Sequence, residues 1–145
     1  MLALYSPRLA EACVRSGEQQ LRAMAEVGCR LVVAKTQLDS PVVAAAVTAM
    51  LAGRFGPGPE RAALAALVDR LDEEAYMLEE FVEDGTACED AFLEVFQRAR
   101  AASALLWALH ADPSTAADNG LYEAIAASGE DPSWIEEPAL AARGG

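Results

Sequence analysis

Chemistry in this chain would have to start from very few side chains. His110 is the single histidine, so the paired Glu-x-x-His sets that hold two metal ions in carboxylate-bridged helical proteins cannot be assembled from one copy. The three cysteines, Cys13, Cys29 and Cys88, show no paired spacing. Cys13 and Cys29 fall on one expected helix about 24 Å apart along its axis, too far to share a metal if that helix is continuous. Cys88 lies near a helix start but on an apolar stripe, and reads as an inert packed thiol.

Other arrangements that suggest chemistry fail on physical grounds. Glu73 with Glu74, and Glu79 with Glu80, are paired carboxylates, but acid–base work needs two carboxyls in unlike surroundings, and adjacent helix residues mostly both face water. Nothing places His110 beside a serine or cysteine nucleophile. The loop Gly53-Arg54-Phe55-Gly56-Pro57-Gly58-Pro59 precedes a helix, yet it has no Lys followed by Ser or Thr. Pro57 and Pro59 also lack the amide hydrogens that would cradle a phosphate. Arg8, Glu11, Arg15, Glu18, Arg22, Glu26 and Arg30 alternate in sign at steps of three or four, which gives a solvated charge ladder with every arginine already in reach of a carboxylate. No catalytic residue, metal ligand or cofactor is therefore assigned.

The elements that would position any site are helical. From Glu60 to Asp84, Leu64, Leu67, Val68, Leu71, Ala75, Leu78 and Val82 recur at helical spacing, with Asp69, Asp72, Glu73, Tyr76, Glu80 and Glu83 on the other side. From Ala87 to Ala111 the stripe is Cys88, Ala91, Phe92, Val95, Ala99, Ala102, Leu106 and Leu109. Gly85 and Thr86 alone separate the two, which predicts an antiparallel hairpin, with Thr86 and Glu89 as a capping box. Ser6-Pro7 opens a first helix to about Gln37, in which Gly17 and Gly28 mark either a close crossing or a break. Ser40-Pro41 opens an apolar helix to about Ala52, expected in the middle of the bundle or at a subunit contact. Asp112-Pro113-Ser114 stops the second hairpin helix and caps another, either Thr115–Ala127 or, if Asn119-Gly120 delays its start, a short helix from Leu121. The fold expected is all-α: an antiparallel helical bundle of about four long helices plus a short C-terminal helix. Residues 1–130 form a single domain, and 131–145 a tail pinned by Trp134 and Ile135.

Charge bounds the partners. The net charge of −12 is concentrated: Asp69 to Glu94 holds eleven carboxylates against Arg70 alone. Such a surface repels phosphate, which argues against direct nucleic-acid binding and against anionic membranes. The longest run without charge, Ser40 to Gly53, is too short to span a bilayer, and the apolar start at Met1–Tyr5 is too short for a secretory leader. Three unpaired cysteines fit a reducing cytoplasm.

Two function classes follow. The preferred one is a non-catalytic acidic helical module that binds a basic surface of a protein partner, of the immunity, antitoxin, inhibitor or secretion-chaperone type. Its contact residues would be Asp69, Asp72, Glu73, Tyr76, Glu80 and Glu83. Trp107 and Trp134 are candidate apolar contacts, and a homodimer is a further candidate assembly. The alternative is a small-molecule-binding bundle, sensor or small enzyme, with a core site near Tyr76, Trp107, His110 and Tyr122.

Overall fold

The computed structural model describes residues 1–86 and 88–144. Among the described residues the chain forms eight helices and no strand: α1 (Leu2–Tyr5), α2 (Pro7–Val14), α3 (Glu18–Lys35), α4 (Pro41–Leu51), α5 (Pro59–Glu83), α6 (Glu89–Ala108), α7 (Pro113–Ala127) and α8 (Ser133–Gly144). No helix among them is long and apolar enough to cross a membrane. The expected start of the second hairpin helix at Ala87, and Gly145 at the end of the expected tail, lie outside the described residues.

Local chemistry sets most of the boundaries. Ser6 Oγ accepts from the Leu9 amide at 3.1 Å, Ser40 Oγ from Val42 at 3.1 Å, and Asp112 Oδ2 from Thr115 at 2.9 Å. Each cap is followed by a proline in the first turn, where no amide hydrogen is needed. Helix α5 closes on Gly85 at φ +75°, with the Gly85 amide donating to Val82 and the Thr86 amide to Phe81. That is the left-handed closure in which the last carbonyls are satisfied by the following turn. The capping box expected at Thr86 and Glu89 does not form: the Thr86 hydroxyl donates back to Phe81 O at 3.1 Å, and α6 begins at Glu89 with Cys88 as its cap.

The two glycines of the first expected helix have different roles. Helix breaks at Gly17, whose amide donates to Gln20 Oε1 at 3.0 Å as α3 begins. Gly28 is a close crossing, since a Cβ there would stand 2.8 Å from Leu121 Cδ2 and 3.8 Å from Ile135 Cγ2. The chain therefore has more, shorter helices than the sequence suggests.

The centre is built from α3, the C-terminal half of α6, and α7, with α8 against α3 and α5 against α6. Leu21, Met24, Cys29, Val32, Leu105, Leu109, Leu121, Ile125 and Ile135 are its larger buried side chains. Alanines 101, 102, 104, 108, 117, 124 and 127 fill the seams between them, and small residues let the helix axes approach closely. The apolar end of α6 is covered by α7, whose Gly120 lies 3.5 Å from Ala104 O for a Cβ built there. Helix α4 sits at the edge rather than in the middle: Val43, Ala46, Ala49 and Met50 are buried, whereas Ala44, Ala45, Thr48 and Leu51 face outward.

The C-terminal segment is a helix docked on α3. Ile135 and Ala139 are fully buried, but Trp134 stays 41% exposed, with the Lys35 ammonium 4.3 Å from its ring centre. Ile135 and Ala139 do the pinning expected of Trp134 and Ile135. Arg8 reinforces it by reaching Glu136 and Glu137 on α8.

Candidate partner-binding site

The α5–α6 hairpin leaves the core halfway along its length. In α5 the last residues packed into the central cluster are Val68 and Leu71, and in α6 the first is Ala101. The twelve residues from Asp72 to Glu83 therefore extend roughly 18 Å at 1.5 Å per residue as a two-helix arm. A narrow seam holds the arm together: Ala75, Val95 and Ala99 are buried, Leu78, Val82 and Ala91 half-buried, and the Phe92 and Phe96 rings lie 5.7 Å apart.

Arg100 anchors the arm at its root. Its guanidinium joins Asp72 on α5 to Glu123 on α7, the latter at 2.9 Å, and lies 5.9 Å from the Phe96 ring centre. Burial works against the Arg100 charge, but Glu123 and Asp72 outweigh it and hold its pKa above the ordinary arginine value. Burial pushes Glu123 upward, and Arg100 offsets that only in part. Removing the arginine would leave Glu123 poorly solvated, which is the situation most costly for a buried ion pair.

From one turn inside this root outward, the exposed surface of α5 is acidic. Asp69, Asp72, Glu73, Tyr76, Glu80 and Glu83 are all exposed, at spacings that set them along one side of α5. Among the described residues, only Asp72 and Glu94 of the eleven carboxylates from Asp69 to Glu94 reach a cation, Arg100 and Arg98. Asp72 thus belongs to the root of the arm, and the other carboxylates of that side face solvent.

The arm also exposes apolar side chains. Tyr76 is 63% exposed, Met77 50%, Phe81 45% and Leu93 40%. Phe81, one of only four phenylalanines in the chain, is therefore not a core residue. Met77 and Phe81 lie one step off the buried stripe and line a shallow groove with Arg70, Glu73, Glu74 and Leu78. Their i, i+4 spacing was a readable signal, masked by the acids on either side. Cys88 is likewise exposed rather than packed, because α6 begins one residue later and leaves it as the cap.

Tyr76, Trp107, His110 and Tyr122 do not converge on one chamber. Trp107 and His110 have ring centres 5.8 Å apart at the end of α6, and Tyr122 stacks on Tyr5 at 5.0 Å. Tyr76 stands on the arm, at the far end of α5 from the Trp107 level. His110 is held by the chain turn itself, with Nδ1 accepting from the Asp112 amide at 3.0 Å. Burial and the neighbouring Glu130 raise the Tyr5 hydroxyl to about 12. Among the described residues no three His, Cys, Asp or Glu side chains are grouped as metal ligands would be.

Arg22 departs from the expected charge ladder. It donates to the carbonyls of His110 at 2.7 Å, Ala111 at 2.8 Å and Ala108 at 3.3 Å, and its guanidinium lies 3.7 Å above the Phe55 ring. It closes the C-terminus of α6 and fastens the 53–58 loop, a task helix ends assign to cations. Comparison with protein-family profiles, curated proteins and solved structures finds no match.

Proposed function

We propose that this protein is a non-catalytic acidic interaction module, and that the outer half of the α5–α6 hairpin docks onto a basic surface of a protein partner, in the manner of immunity proteins, antitoxins, inhibitors or secretion chaperones. The observation that carries the reading is the run of solvent-facing carboxylates on the arm, where only Asp72 and Glu94 are engaged by cations among the described residues. Exposed carboxylates of one sign raise the encounter rate with a basic partner and discourage acidic ones. The helical body gives this arm a rigid base through Arg100, so little order has to be gained when a partner binds.

Capture from a lysate of the native host at low and high salt tests the proposal. A basic protein is expected to be retained at low salt, to be released as salt rises, and to be lost with the Asp69→Asn, Glu73→Gln, Glu80→Gln, Glu83→Gln combination. Capture indifferent to both salt and these substitutions would count against it.

A further inference from the structure

We propose that the groove beside Met77 and Phe81 receives an amphipathic helix of the partner, apolar on one side and rich in lysine or arginine on its flanks. The inference rests on the reading of the arm as an acidic docking surface and adds the shape of what docks there. Met77 and Phe81 are 50% and 45% exposed on the same side of α5, about 6 Å apart along its axis at one turn's spacing. That interval matches the i, i+3 and i, i+4 anchors by which a ligand helix lies in a groove. Methionine and phenylalanine suit such a seat, being a flexible polarizable side chain beside a flat ring.

Charge selects the occupant. Glu73 and Glu74 line the groove itself, Glu80 and Asp84 follow Met77 and Phe81 at three-residue spacing and are exposed, and Arg70 is the one cation in its lining. A second copy of this chain would bring the same carboxylates face to face, and an anionic lipid surface would be repelled. A helix with basic flanks gains on both counts: its apolar stripe covers Met77 and Phe81 while its cations meet the rim.

The test uses the full chain and two synthetic peptides of identical Lys/Leu composition. One places leucines at i, i+3, i+4 and i+7, and the other distributes them evenly round the helix. The amphipathic peptide is expected to bind at least about tenfold tighter than its isomer, and Met77→Ser with Phe81→Ser to remove that difference while leaving the weaker, salt-sensitive binding of both. On binding, the Met77 methyl resonance should shift while that of the buried Met24 does not, a readout independent of any substitution. Equal, salt-sensitive binding of both peptides would overturn the groove and leave the acidic-arm reading standing. Absence of binding by either would overturn both. A concentration-dependent dimer dissolved by the same double substitution would overturn the inference by making the chain its own occupant.

Discussion

A Cβ placed on Gly28 would meet Leu121 Cδ2 at 2.8 Å, whereas one on Gly17 meets nothing within 4 Å. Two glycines that look alike in the stripe of one helix are therefore held by unlike constraints. Gly28→Val is expected to destabilise the protein by at least about 2 kcal/mol through overpacking between α3 and α7, and Gly17→Ala by less than about 1 kcal/mol at an exposed cap. Denaturant unfolding of the two variants checks this, and a reversal of their order would deny the close crossing. The cysteines offer a second check. Burial pushes the thiol of Cys13 up to about 11 and that of Cys29 up to about 12, while Cys88 is exposed. A maleimide at neutral pH should modify Cys88 first, Cys13 slowly and Cys29 only on global unfolding, as mass spectrometry would show. Early labelling of Cys29 would contradict its place on the buried side of α3 against Met50 of α4, whose sulfur lies 3.7 Å away. The sequence puts Cys88 on the stripe because it starts the helix at Ala87; the start at Glu89, two residues later, makes Cys88 the cap.

At the scale of the element, the hairpin was legible and its setting was not. The stripe Leu64, Leu67, Val68, Leu71, Ala75, Leu78 and Val82 is buried or half-buried as its spacing requires, and the caps at Ser6, Ser40 and Asp112 stand where the local pattern puts them. These depend on neighbours within a few residues, and so can be read from the chain alone. That the outer half of both helices runs on beyond the core cannot, because a stripe reports that a face is covered, not by how much. The consequence is a gradient of local stability. Amides from Asp72 to Glu83 and from Ala91 to Gln97 are expected to exchange with solvent faster, by about tenfold or more, than those from Ala101 to Ala108 of the same helix, which lie under α7. Hydrogen exchange resolved along α6 measures this directly. Uniform protection from one end of α6 to the other would mean that the arm opens only with the whole domain.

For the molecule as a whole, the charge is not neutral ballast. The pairs Asp69 with Glu73, Glu79 with Glu83, Glu80 with Asp84 and Asp90 with Glu94 set like charges one turn apart, each destabilising by about 0.2–0.5 kcal/mol in low salt. Adding salt at neutral pH screens them and is expected to raise the thermal midpoint by about 2–6 °C. A midpoint that falls with salt would show that ion pairs such as Arg8 with Glu136 and Glu137 outweigh the repulsion. Its amino-acid sequence by itself determined that this chain is helical, where most helices start, and that its acids cluster midway, since capping, periodicity and charge are properties of near neighbours. Only the tertiary structure decided which helix faces are covered. It put α7 over the apolar end of α6, set α4 at the edge, took Arg22 from a surface ladder to the end of α6, and left Met77 and Phe81 uncovered. Those outcomes depend on how far each helix reaches past its neighbours, a distance fixed by contacts between residues remote in the chain.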